Sequence, residues 1–240
     1  MKTKSIILLA FGVLLTFSSC DYEHVRADDE ITTRNLTMSG FNGLEVGNAF
    51  DVYITFSDTE EQVIIEANDN LHDRIIVTRE GDQLSIKLKK FTTIKGNATL
   101  KAYITTSYLD DMDLKGASTV IMENAWEVDR AKIDLSGSSE IRGEILSNHF
   151  EVDMKGASKA DLFGNIESLY VDLSGASDMR DYDLIAKRLN IDLSGASEAF
   201  LTVSESIDIE ASGASVLNYK GDAVTYHKEL KGASRLKNRN

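Results

Sequence analysis

Seven carboxylates recur along the second half of this chain: Asp113, Asp134, Asp153, Asp172, Asp192, Glu210 and Glu229. Each stands three residues before a glycine and five before a serine. The glycines are Gly116, Gly137, Gly156, Gly175, Gly195, Gly213 and Gly232, spaced 21, 19, 19, 20, 18 and 19 residues apart. The serines are Ser118, Ser139, Ser158, Ser177, Ser197, Ser215 and Ser234. Three chemistries fit these residue types. Closely spaced carboxylates can gather about six to eight oxygens around a hard cation such as Ca²⁺. A serine can attack a carbonyl when a base stands beside it. Carboxylates paired with arginines can cleave acidic glycans, and Arg142, Asp161, Asp178 and Arg180 lie just past the glycines.

The elements that carry these residues are strands. Before each glycine the chain alternates, with Leu189, Ile191 and Leu193 on one side and Asn190, Asp192 and Ser194 on the other. Leu169, Val171 and Leu173, and Phe150, Val152 and Met154, repeat the pattern. A period of two marks a half-buried strand. Apolar residues resume four past the glycines, at Ile141, Ala160, Met179, Ala199 and Leu217. Each unit is therefore a strand, a tight glycine corner and another strand. A fixed period near 20 marks a solenoid. A leucine-rich repeat would need Asn or Cys after its leucines, and a propeller blade about 40 residues. A parallel β-helix with coils of about 19 residues remains, each coil advancing about 4.8 Å.

Stacked coils turn each repeat position into a column. The glycines form a backbone corner that needs positive φ or close approach. The serines form a column able to hydrogen-bond along the ladder or cap corner amides; no histidine recurs beside them to act as base. The acidic column stacks like charges, which weakens a sheet. It is either solvated and screened, with Lys115, Lys155 and Lys231 nearby, or holds a cation. A straight ladder is poorly shaped for calcium, and the Gly-Gly-x-Gly-x-Asp nonapeptide is absent. His24, His72, His149 and His227 show no metal-ligand spacing. No phosphate-binding Gly-Lys loop, Gly-x-Ser-x-Gly elbow or His-Glu-x-x-His occurs. No cofactor, metal or catalytic residue is assigned. Trp126 is expected to cover a coil edge, and Tyr103, Tyr108, Tyr170, Tyr182, Tyr219 and Tyr226 do not share one repeat position.

Residues 34–107 alternate without a clear copy of the motif. Met38-Ser39-Gly40 is the nearest approach to one, and Glu80-Gly81-Asp82 reads as a turn between strands. This section is expected to be less regular β-structure that continues into the solenoid and caps one end. Residues 108–240 form the regular coils, with the basic run from Arg235 to Arg239 at the other end. Phe41-Asn-Gly-Leu-Glu-Val-Gly-Asn-Ala-Phe-Asp-Val-Tyr-Ile, Asp69-Asn-Leu, Gly81-Asp-Gln-Leu-Ser-Ile and the repeated Leu-Ser-Gly-Ala-Ser resemble the putative auto-transporter adhesin head GIN domain family, over roughly residues 34–235. The resemblance implies a right-handed parallel β-helix on a Gram-negative envelope lipoprotein. It carries over no catalytic residues.

The N-terminus agrees with export. Lys2 and Lys4 precede a mostly apolar run from Ile6 to Phe17, then Ser18, Ser19 and Cys20. A basic start, a short apolar stretch and small residues at the cut mark a secretory signal over 1–19. The run is shorter than the roughly 20 apolar residues that span a bilayer. Cys20, the sole cysteine, resembles the acylated residue of a bacterial lipobox, with Phe17 where leucine is usual. Two or more acyl chains anchor a protein stably. Residues 20–33 read as a lipidated cysteine and an acidic tether. Loss of Lys2 and Lys4 takes the net charge from -13 to -15. That charge argues against nucleic acid and anionic surfaces. With Cys20 acylated no disulfide can form, and the absence of proline suits paired strands. The expected product is a non-catalytic envelope lipoprotein of the outer membrane. It would sit on the surface or periplasmic face, with a glycan or envelope protein as partner. A polysaccharide-degrading β-helix is the alternative.

Overall fold

The computed structural model describes residues 23–240, and in it the chain is a parallel β-solenoid with coils of about 19 residues. The signal segment and Cys20 lie outside the described residues. Among those described, no helix is long and apolar enough to cross a membrane.

The repeat pattern folds as its periodicity requires. The alternating run before each corner pairs in register with the same run one coil on: Asp134 opposite Asp153, Asp153 opposite Asp172, Asp172 opposite Asp192. The run after the corner does likewise, Glu140 opposite Lys159 and Lys159 opposite Asp178. Pairing lapses at Asp129, Asn148, Glu167 and Lys187, where the chain bends out of a third short run into the pre-corner strand. Strands such as Glu140–Met154 and Lys159–Leu173 continue through that bend. Inward positions carry the aliphatics. Val152, Val171 and Ile191 stack without exposed surface, and burying each contributes roughly 1.5–3 kcal/mol.

The regular part begins earlier than the sequence motif. Gly43–Val46 and Asp51–Phe56 pair in parallel with Asp111–Leu114 and Thr119–Met122. Glu45 is opposite Asp113, and Val46 opposite Leu114. The segment Glu45-Val46-Gly47-Asn48-Ala49-Phe50 is thus a further copy of the corner, in place of Met38-Ser39-Gly40. Asn48 occupies the glycine position with φ 69°, and Phe50 fills the serine position as a buried ring.

Stacking order departs from chain order at this end. Gln83–Leu88 and Leu100–Thr106 form a coil outside the one made by residues 43–56. Antiparallel pairs close it: Ile31–Leu36 on Gln62–Asn68, the latter on Leu100–Thr106, and Ile75–Glu80 on Gln83–Leu88. Part of the segment read as a tether is strand, since Glu23–Arg26 pairs with Thr92–Lys95. Trp126 is not at an edge. It is 1% exposed, stacks on Phe56 at 6.1 Å, meets Phe150 edge-on and donates from Nε1 to the Leu109 carbonyl at 2.9 Å. A buried indole N–H needs such a partner.

Candidate functional site

The glycine corners lie on the outer edge of the solenoid. At Gly156 φ is 85°, and a Cβ there would lie 2.6 Å from the Gly137 carbonyl oxygen. That oxygen accepts the Ala157 amide at 2.7 Å, so the same contact that couples neighbouring coils excludes a side chain. The other corner glycines of the repeat, 116, 137, 175, 195, 213 and 232, share the left-handed backbone.

The serine column points inward. Ser118, Ser139, Ser158, Ser177, Ser197 and Ser215 are at most 1% exposed. Their hydroxyls serve carbonyls, not the corner amides. Ser177 Oγ donates to the Ser174 carbonyl at 2.8 Å, and Ser215 to that of Ser212 at 2.8 Å. Ser139, Ser197 and Ser215 also reach a leucine carbonyl of the preceding coil at 3.3 to 3.4 Å. Only Ser158 and Ser177 touch each other, at 3.3 Å. These hydroxyls tie the corner to itself and to the coil beneath.

The acidic column faces out and is threaded with cations. Lys115 bridges Asp113 at 2.5 Å and Glu45 at 2.9 Å; Lys155 holds Asp153 at 2.9 Å, Lys132 holds Asp134 at 3.3 Å, and Lys231 holds Glu229. Glu45 is the best held. Hydrogen bonds from Ser85 (2.6 Å) and Lys115 bring its carboxyl down to about 2. Asp172 goes the other way: burial, then the charges of Asp153 and Asp192, push its carboxyl up. Near the far end Glu210, His227 and Glu229 place ligand atoms within 4.8 Å of one another, all solvent-accessible.

Arg142, Asp161 and Arg180 do form one column on the post-corner face. The two arginines are tied along their own strands, however. Arg142 donates to Glu140 from Nε at 2.8 Å, and Arg180 donates to Asp178 from Nε at 2.5 Å.

A broad concavity lies elsewhere, along the pre-corner face beside its bend. This groove, of about 630 Å³, is lined by Tyr108, Arg130, His149, Tyr170, Asn190 and Asp208, among others. Two outward columns build it. Arg130, His149, Ser168, Arg188 and Ser206 are register neighbours, each seven residues before its corner glycine. Lys132, Glu151, Tyr170, Asn190 and Asp208 follow at five before. Arg188 is engaged by Ser168 at 3.0 Å, Glu167 at 3.3 Å and Glu205 at 3.4 Å. Arg130 is exposed, and among the described residues its side chain has no hydrogen-bond or ion-pair partner. The Tyr170 hydroxyl donates to Asp192 at 3.3 Å; that carboxylate's charge, with burial, pushes the phenol up, so it stays neutral. The sequence reading passed over this groove because its members differ in type. Counting back from each corner glycine would have found both columns.

Residues 40–223 match the family described as putative auto-transporter adhesin, head GIN domain. The chain belongs to that family. The match takes in the extra corner at Asn48, the glycine and serine columns through Gly213, and both columns of the groove. Among solved structures, a putative adhesin from Bacteroides fragilis superposes with a TM-score of 0.85 at 22% identity, over 90% of this chain and all of the other. A putative lipid binding protein from Parabacteroides distasonis gives 0.72 at 16% identity, over 91% of this chain and all of the other. A putative adhesin from Parabacteroides merdae gives 0.66 at 15%, over 90% and 99%. At these identities the likeness speaks for the solenoid fold alone. No curated protein matches the chain.

Proposed function

We propose that this adhesin-family solenoid is a non-catalytic binding module of the cell envelope, anchored to the outer membrane through acylated Cys20, and that its pre-corner groove holds a glycan. The observation that carries the reading is the groove itself: a long concave strip of ring, amide, hydroxyl and charged groups on a rigid ladder. Rigid strands present such groups at fixed spacing, so little ordering entropy opposes binding. The carboxylates of the groove are already engaged, which argues against cleavage. Asp110 accepts from Asn42 and Tyr108, both at 3.3 Å; Glu151 lies 3.4 Å from Lys132; Asp208 accepts the His227 amide at 3.0 Å. Glycoside hydrolysis needs an acid and a base free to face one bond.

The test uses the full chain in detergent against a panel of host and microbial glycans, with and without calcium. Retention and newly released reducing or unsaturated ends are both recorded. Retention without turnover is expected. Turnover would establish the enzyme alternative, and no retention on any glycan would refute the glycan reading and leave an envelope protein as partner. Cys20→Ser should abolish incorporation of a labelled fatty acid in a Gram-negative host.

A further inference from the structure

Resting on that reading, we infer that the groove is specific for a saccharide carrying isolated carboxylates, the carboxylate held by Arg130 with His149 beside it and a sugar ring laid against Tyr170. Arg130 and His149 are opposite each other in register, one strand spacing apart, and both are exposed. Arg130 is the feature that leaves a fork open to a ligand. Other guanidinium groups along this part of the solenoid are paired: Arg142 with Glu140, Arg180 with Asp178, Arg188 with two glutamates. A guanidinium offers a planar fork that matches a carboxylate through two parallel hydrogen bonds. Lys132, the next residue on the same outward side, is already shared between Asp134 at 3.3 Å and Glu151 at 3.4 Å, which leaves Arg130 as the open cation at that end.

The rest of the groove suits a sugar. Tyr170 lies one coil beyond His149's coil, 42% exposed, with Asn190 opposite it in register and Ser168 two residues before it on the same strand. An exposed ring with a fixed hydroxyl stacks on the apolar face of a pyranose while amides and hydroxyls meet its rim. Asp208, at the far end, can accept from sugar hydroxyls and would repel a second carboxylate.

Two electrostatic scales set the ligand class. The whole chain carries -13, and the neighbouring column from Asp134 to Glu210 is acidic, so a densely charged polyanion is repelled at long range. At contact range the Arg130 fork gains two charge-assisted hydrogen bonds from a single carboxylate, while Asp110, Glu151 and Asp134 nearby keep the surroundings acidic. A glycan with one carboxylate every few sugars satisfies both conditions, whereas a polysulfate or a polyuronate does not.

The probe is a matched pair: a mixed neutral and uronic-acid oligosaccharide, and the same oligosaccharide with its carboxyl reduced to the alcohol. Binding to the full chain in detergent is measured by calorimetry. The acid form should bind at least about tenfold more tightly than the alcohol, the cost of one charge-assisted hydrogen-bond pair. Arg130→Ala should remove that preference, so that acid and alcohol bind alike. Tyr170→Ala should weaken both forms alike. Both side chains are surface residues, so circular dichroism should show the fold intact. Equal binding of acid and alcohol, or a preference that survives Arg130→Ala, would overturn this inference while leaving a glycan module standing. Failure of both forms, together with silence across the glycan panel, would refute the glycan reading itself.

Discussion

The carbonyl oxygen of Asn48 sits beneath Gly116, 2.5 Å from where a Cβ on that glycine would stand. Asn48 and Gly116 share a left-handed backbone, φ 69° and 82°. Asparagine tolerates this conformation better than other side-chain-bearing residues. Here its Oδ1 also accepts the Leu88 amide at 2.8 Å, a bond to the adjoining coil that glycine could not make. The corner column therefore starts on a residue that caps and continues on residues that only turn.

Substitution at the two places should differ. Gly156→Ala combines a left-handed alanine, about 1–2 kcal/mol, with a 2.6 Å approach to the Gly137 carbonyl. We expect a loss of about 2–4 kcal/mol in urea unfolding followed by the fluorescence of Trp126, the sole tryptophan. Asn48→Gly trades one hydrogen bond for an easier backbone and should cost about 1 kcal/mol or less. Equal effects at both positions would contradict the stacked-corner account.

Ser177→Ala should cost about 1 kcal/mol, because the Ser174 carbonyl loses its 2.8 Å donor in a buried setting. Ser177→Val should cost more, since it adds bulk to a fully packed column. Neither should alter binding in the groove. A glycan affinity that tracked Ser177 would show the column acting beyond architecture.

Two members of the acidic ladder should respond to pH with opposite signs. Glu45 is depressed to about 2 by Ser85 and Lys115. The folded state thus holds this proton more weakly than the unfolded chain does. Its stabilisation is full above the ordinary value of 4.5 and is lost as pH falls toward 2. Glu45→Gln should cost about 1–2 kcal/mol at pH 7 and little at pH 2.

Asp172 is raised, chiefly by burial and then by Asp153 and Asp192. The fold holds this proton more tightly, so stability falls as pH rises through the carboxyl's folded value. Asp172→Asn should stabilise by about 0.2–1 kcal/mol at pH 7, with the gain vanishing once the wild-type carboxyl is protonated. The same titration with added calcium separates the two accounts of the ladder. A solvated column predicts a melting temperature unmoved by millimolar calcium beyond the effect of ionic strength, and a cation site predicts a rise that Asp172→Asn removes.

Much of this architecture was legible because the repeat is covalent in the sequence. Period two gave the strands, the glycine spacing gave the coils, and the in-register pairing of Asp153 with Asp172 follows from both. What stayed hidden depends on contacts between distant segments. Asn48 lacks the glycine that marks a corner, and Phe50 lacks the serine, so this copy shows itself only through pairing with residues 111–122. Trp126 reads as a lone aromatic until Phe56 and Phe150 close around it. The groove escaped notice for a related reason. A column that binds varies in residue type, whereas a column that packs repeats.

The departure of stacking order from chain order bears on how the molecule assembles. Each regular coil closes on a neighbour about 20 residues away, so loop-closure cost is small and the array can zip from any pair of coils. The N-terminal end pairs across longer spans: Ser85 meets Glu45 across 40 residues, and Asn42 meets Asp110 across 68. Longer spans form more slowly. The zipper should therefore run first through the C-terminal coils, with the first-synthesised part of the chain docking last, as a lid fitted after the stack is built.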